Sequence, residues 1–505
     1  MIRRHGLKLL ITGLSAACGL VVEIVAGRMV APYLGMSLYT WTAIISVVLA
    51  GFSVGHWIGG RLAGHPPDAA RRTVAWSLIA AAASTALALV LIRVVAPATT
   101  GLAPPPVPTV LIVTGALFFL PSLFVGIPSP VLTKLAVDEV PPSEAGGVIG
   151  AFYAIGAVGS IVGTLAAGFI FIAWLGVTMT LLLVAILYLA QGLTLFLAAP
   201  RGAPPTLALP LTVVALAALA LGYTGSRLGA FEEPCRVGSA YYCVRVFDVS
   251  NEHGTPARVM VLDHLGHGIN LRDHPQRLVS PYVELHDILA RIHAGRHTPF
   301  RVFFIGGGAY TLPRAWAAAR PDARLTVAEI DPFVTQTAIS ELWLKTGPRI
   351  TPLHRDARVA LASEPEKHFD IIVGDAFHDI VIPPHLITAE FFELTASRLK
   401  ADGIYLMNVV DDRDRPRLAL SIRRAMLPAF PHVEIWRSNQ TGERSTFTLA
   451  GLAKPTPYVE LPSRTSPGVR FQPIPETRLD VIAVEIEPVL LTDDYAPVDR
   501  LIGVN

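Results

Sequence analysis

Charge is what this sequence lacks most. Of its 505 residues only 16% are Asp, Glu, Lys or Arg, while 52% are hydrophobic; soluble globular chains carry about 25% charged residues. Part of the chain is therefore built for a solvent other than water. Cysteine is nearly as scarce, at three residues. Cys18 lies in an apolar run and reads as a small packing residue, and Cys235 and Cys243 stand close together further on. No Cys-x-x-Cys pair and no Cys/His ligand spacing occurs, so the sequence makes no case for a metal. A net charge of +2, without a basic stripe interleaved with aromatics, gives none for nucleic acid.

The charge deficit is uneven. Between Leu7 and Gly222 charges fall mostly between long apolar runs, and after Arg227 they reach ordinary density. That step divides a membrane domain, 1–225, from a soluble remainder. A span needs roughly 20 apolar residues to cross the hydrocarbon. About seven segments qualify: 8–30, 39–63, 73–96, 107–133, 147–172, 177–199 and 206–223. The basic start Met1-Ile-Arg-Arg-His would suit a signal peptide, but the apolar stretch after it is long and further spans follow, so a first membrane helix is expected. The fourth segment holds Pro121, Pro128 and Pro130 and reads either as a kinked helix or as a broken, partly re-entrant one. Gly156, Gly159, Gly163 and Gly168, with Ser160 among them, predict a close helix-packing seam.

Glu23 and Arg28 lie within or at the end of the first span. Either alone in lipid costs several kcal/mol, so they are expected to face the bundle interior and pair, or to line a wet pathway; the plainer reading has Arg28 reaching the interface. His56 reads as a packing residue. Lys and Arg concentrate in one set of loops (Arg3, Arg4, Lys8, Arg61, Arg71, Arg72, Lys134, Arg201) against Arg28, Arg93 and Arg227 in the other. The first set, with the N-terminus, is expected to be cytoplasmic, with the lipid bilayer as partner. Seven spans would then put the C-terminal domain outside, where a Cys235–Cys243 disulfide would persist; a fourth segment crossing twice would reverse that.

From Tyr241 the pattern becomes short alternating strands. Residues 241–247 and 257–263, with a turn at Asn251–Gly254, read as a small β region within 226–280. A helix is expected from Pro281 to His293. Beyond it strand and helix patterns alternate through 281–505, which implies a parallel sheet covered by helices. Ligands bind such sheets at the carboxyl ends of the strands, and those ends carry chemistry. Phe303-Phe304-Ile305 runs into Gly306-Gly307-Gly308, where backbone approaches a ligand closely. Glu329-Ile330-Asp331 ends a second strand about 20 residues later, a spacing that suits the hydroxyls of a ribose. Asp375 ends a third, and Asp356-Ala357 adds an acid able to meet a base amino group.

These motifs resemble the spermidine synthase family of aminopropyltransferases, and the full-length pattern resembles bacterial proteins fusing a multi-span membrane domain to such a domain. The matching residues are Gly306 to Gly308, Glu329-Ile330-Asp331, Asp356-Ala357 and Asp375-Ala376-Phe377-His378-Asp379, with Leu262-Asp263-His264-Leu265-Gly266-His267 and Tyr282-Val283-Glu284 upstream and Leu491 to Val498 at the close. The resemblance implies an α-helical polytopic membrane bundle followed by an α/β Rossmann-like domain of the S-adenosylmethionine-dependent transferase type. It implies decarboxylated S-adenosylmethionine as donor, a polyamine such as putrescine as acceptor, no metal, and a homodimer as an open possibility. Asp375 would be the base, Glu329 and Asp331 would hold the ribose side, Asp356 and Ala357 the adenine, and Tyr242, His267, Tyr282, Glu284 and Asp379 the acceptor.

The sequence also departs from that pattern. Ala309-Tyr310 follows the glycines where the family has Asp-Gly, and His267 and Tyr242 stand where it has glutamines. Intact S-adenosylmethionine and a methyl transfer therefore remain an alternative, as does a polyamine or nucleoside transporter or sensor whose soluble domain does not turn over.

Overall fold

The computed structural model describes residues 2–95, 107–198, 208–295, 298–377 and 381–502. They form two units, Met1–Gly238 and Ser239–Asn505.

In the first unit, apolar runs with few charges fold into helices α1 (Ile2–Leu34), α2 (Leu38–Leu62), α3 (Pro67–Val95), α4 (Val107–Gly126), α5 (Pro128–Val137), α6 (Pro142–Ala166), α7 (Ile172–Leu197) and α8 (Ala208–Arg227), before a two-residue strand β1 (Val237–Gly238). Among the described residues five helical stretches are long and apolar enough to cross a membrane. The fourth, Val107–Val137, is one such stretch, interrupted between α4 and α5 at Ile127, just before Pro128, which has no amide to donate. The fifth, Pro142–Leu197, runs for 56 residues and covers two expected segments. A π-helical turn at Ala167–Phe171 precedes its break at Gly176, whose φ is +73°. The helix restarts there, with the Glu233 carboxylate accepting from the Thr178 amide at 3.0 Å. The seventh expected segment corresponds to α8, which is not among the five.

The glycine seam exists at two of its four positions. A Cβ on Gly159 would stand 2.1 Å from the Gly13 carbonyl oxygen, and one on Gly163 would stand 2.2 Å from that of Ala17. Hence α1 and α6 touch backbone to backbone. Gly156 and Gly168 meet nothing within 4 Å and lie off that face. Glu23 and Arg28 are both half-buried, but Glu23 has no ion-pair partner among the described residues, so the expected pair is not made: five residues along a helix place two side chains on different faces.

In the second unit a meander comes first: β2 (Cys243–Asp248), the single-turn helix α9 (Ser250–His253), β3 (Ala257–Leu262) and β4 (Leu265–Leu271). The turn expected at 251–254 is α9, ended by Gly254 at φ +66°. After α10 (Pro281–Ala294) the chain alternates through β5 (Arg301–Ile305), α11 (Thr311–Ala319), β6 (Arg324–Ala328), α12 (Pro332–Glu341), β7 (Ile350–Leu353), α13 (Ala357–Ala362), β8 (Phe369–Gly374), α14 (Ala389–Arg398), β9 (Leu399–Asp412) and α15 (Arg417–Met426). It closes with β10 (His432–Ser438), β11 (Arg444–Leu452), β12 (Leu461–Pro462) and β13 (Arg470–Pro473), followed by α16 (Glu476–Ile486) and α17 (Val498–Leu501).

The sheet order is β12-β13-β10-β11-β9-β8-β5-β6-β7. The five strands from β7 to β9 are parallel, as the βα alternation implies. The other four are antiparallel, so the sheet is mixed and not wholly parallel: β10 and β11 join without an intervening helix to carry a crossover. β5 and β8 pair at the sheet centre although β6 and β7 come between them in sequence. That reversal of strand order is where such sheets open a ligand crevice.

Candidate active site

Three strand ends are laced together at this reversal. The Gly306 amide donates to the Ala328 carbonyl at 2.9 Å, Asp375 to that of Ile305 at 2.9 Å, and Glu329 to that of Leu353 at 3.0 Å. Gly306 has φ +92°, and a Cβ there would lie 2.6 Å from the Asp375 carbonyl oxygen; only glycine brings the loop so close to the end of β8. Glu329 is buried, and its carboxylate turns back on the loop. Oε2 accepts from the amides of Gly307 at 2.8 Å and Gly308 at 3.3 Å, and Oε1 from that of Asp331 at 2.9 Å. Burial pushes its pKa up against these three bonds.

Asp375 follows directly on the end of β8. Its Oδ1 accepts from Asn408 Nδ2 at 2.9 Å and its Oδ2 from Tyr282 Oη at 3.3 Å. Burial raises the carboxyl from 3.8 to about 6, and the two hydrogen bonds pull the other way. Tyr282 is supplied by α10, edge-on to His286, and burial lifts its hydroxyl well above the ordinary range, so it remains a donor. Tyr242 donates to the Phe377 carbonyl at 3.0 Å, two residues past Asp375. His267 sits over the loop: its carbonyl oxygen lies 3.4 Å from where a Cβ on Gly308 would be. Its Nε2 is buried without a hydrogen-bond partner, and burial, with His264 beside it, pushes the ring down to about 4. At neutral pH it is an uncharged imidazole.

The remaining candidates are engaged otherwise. Asp331 is fully buried; one oxygen caps α12 through the Phe333 amide at 2.9 Å, and the other takes the Ser239 hydroxyl. Glu284 faces away from Asp375 in its bonding, because its carboxylate binds Ser463, Thr465 and the amides of Arg464 and Thr465. Asp356 caps α13 through the Val359 amide at 3.0 Å and meets His385 Nε2 at 2.8 Å. Burial alone would raise its carboxyl, but those bonds bring it below the ordinary value. Ala357 packs into the core as the first residue of α13. Asp379 lies outside the described residues.

At the position after Ala309, φ is +55°, a left-handed conformation that glycine adopts freely. Tyr310 fills it instead, fully buried. Its hydroxyl lies 2.7 Å from Thr335 Oγ1, which lies 3.1 Å from His354 Nε2, and its ring occupies the space a side chain at Gly307 would need. Asn408 is the residue the sequence reading missed. A lone amide within the apolar run Leu406–Val410 was the available signal.

No family model matches the chain. A polyamine aminopropyltransferase of Vibrio vulnificus is 33% identical over 135 residues, 26% of this chain and 44% of that protein. An aminopropyltransferase of Moorella thermoacetica is 27% identical over 160 residues, 30% of this chain and 55% of that protein. An N-terminal histidine N-methyltransferase of Emericella nidulans is 34% identical over 138 residues, 26% of this chain and 24% of that protein. The chain thus spans about half or less of the curated relatives it matches, and all three are transferases. Among solved structures, a probable spermidine synthase from Corynebacterium glutamicum aligns at TM-score 0.44 and 23% identity, over 52% of this chain and 96% of its own.

Proposed function

We propose that the chain is a membrane-anchored, spermidine synthase-like aminopropyltransferase that takes decarboxylated S-adenosylmethionine as donor and a polyamine as acceptor. The observation carrying this reading is Asp375: a carboxyl raised to about 6 at the sheet's reversal point, held by Tyr282 and Asn408, next to the glycine loop whose amides bind Glu329. The likeness to two polyamine aminopropyltransferases supports it.

In such a transfer the acceptor's nitrogen forms a bond to the carbon beside the sulfonium. The carbon–sulfur bond breaks, its electron pair stays on sulfur as a neutral thioether, and the ammonium proton leaves to a base. An alkylammonium holds its proton near 10, and a carboxylate raised to about 6 is closer to that than an ordinary one. It is still ionised at neutral pH, as a base must be. Glu329 suits a ribose: an ionised carboxylate accepts about four hydrogen bonds, and backbone amides fill three. One hydroxyl fits directly, and a second would displace the long Gly308 contact.

The lack of an acid at Ala309 favours one second reading, methyl transfer from the intact donor, and the likeness to a histidine methyltransferase fits it. Purified protein offered both donors and a panel of amines, with products read by mass spectrometry, separates the two. Gain of an aminopropyl group is expected; gain of a methyl group, or no product from any amine, overturns the proposal.

A further inference from the structure

At the opposite end of the sheet, where β7 begins and α11 ends, lies a cavity of about 550 Å³ lined in part by Arg272, Asp273, Arg314, Trp343, Lys345 and Arg349. Four of these side chains are cationic and one is acidic, and that acid is already paired with Arg272 at 3.3 Å. Arg314, Lys345 and Arg349 have no carboxylate partner among the described residues. Arg349 reaches only the carbonyl of Ala317, at 2.6 Å.

Arg314 is the telling residue. It is only 8% exposed, and its guanidinium bonds to carbonyls alone, those of Trp343 and Leu271, each at 3.3 Å. Burial lowers its pKa to about 10, which leaves it charged at neutral pH. A buried cation without a counter-charge is strongly unfavourable, and here two further uncompensated cations stand at the same cavity. Trp343, held with φ +60°, adds an aromatic wall. Carbonyls at the C-terminus of α11 contribute only partial charge.

We infer that this cavity is a binding site for a soluble anion bearing two or more phosphate charges, which supplies the counter-charge that Arg314, Lys345 and Arg349 lack. The site is separate from the strand-end crevice and does not depend on the transferase reading. It is nonetheless connected to that crevice. α11 runs from the glycine loop to the cavity, and Leu271, which Arg314 holds, follows Asn270, whose amide donates to the Ala309 carbonyl at 2.7 Å.

The test is calorimetry on the full chain in neutral detergent at low ionic strength, titrated with inorganic pyrophosphate and, in a second arm, with dihexanoyl phosphatidic acid. One saturable pyrophosphate site is expected, weakened at least tenfold in a Lys345→Glu/Arg349→Glu variant. Both positions are exposed, and an unchanged circular dichroism spectrum shows that the variant folds. No saturable pyrophosphate binding, equal affinity in the variant, or binding of the lipid headgroup analogue alone overturns the inference.

Discussion

Replacing Asp375 by Asn keeps the shape of the side chain and removes its charge. Asn408 can still donate to the new amide's oxygen, and Tyr282 can accept from its nitrogen. The carboxyl is held at about 6 in the folded chain against an ordinary 3.8, so the native state binds the proton more tightly than the unfolded one. Stability is therefore lost as pH rises from about 4 to about 6, and the loss stays constant above that window. Each tenfold change in proton affinity is worth about 1.4 kcal/mol, so the full cost at pH 8 is about 3 kcal/mol. Partial solvent access to the side chain screens this to about 2 kcal/mol. Asp375→Asn should recover that amount at pH 8 and nothing at pH 4. Thermal unfolding of the full chain in detergent reads it as a rise of about 2–4 °C per kcal/mol, while turnover drops by at least about 100-fold. A variant that melts lower at pH 8, or whose offset is the same at both pH values, would refute the account of a charge held at a cost; undiminished turnover would remove Asp375 as the base.

Tyr282→Phe removes a hydrogen bond that lowers the Asp375 pKa, so the acid limb of kcat/KM should move upward from about 6 by less than about one pH unit. A pH–rate profile with an unmoved limb contradicts this. Gly163→Leu would put a Cβ 2.2 Å from the Ala17 carbonyl oxygen and should lower stability in detergent by about 1–3 kcal/mol or more. Gly156→Leu, with open space around it, should be nearly neutral, and equal melting of the two variants would dismiss the α1–α6 seam.

The parts of the molecule legible in sequence are those written locally. Gly306 to Gly308 follow an apolar strand, and Glu329 and Asp375 each close another, so three strand ends could be read one at a time. Their parallel pairing follows from βα alternation, but the reversal of strand order that brings them together does not and is seen only in the sheet itself. What escaped depends on residues far apart in the chain. Asp331 reads like a ligand because it follows Glu329, yet Ser239, 92 positions earlier, claims one of its oxygens. Glu284 reads like an acceptor contact because it follows Tyr282, but its partners come from residues 463–465. The antiparallel strands beyond β9 leave no βα rhythm to follow. The cationic cavity gathers residues from separate segments, none of them basic enough alone to stand out.

Gly306 also bears on how this site can diversify. Because its α-carbon is wedged against the end of β8, no side chain can be added there without prising apart the two central strands, and Gly307 is similarly closed by the Tyr310 ring. Sequence change within this loop is thus channelled to positions 309 and 310, which is where this chain carries alanine and tyrosine.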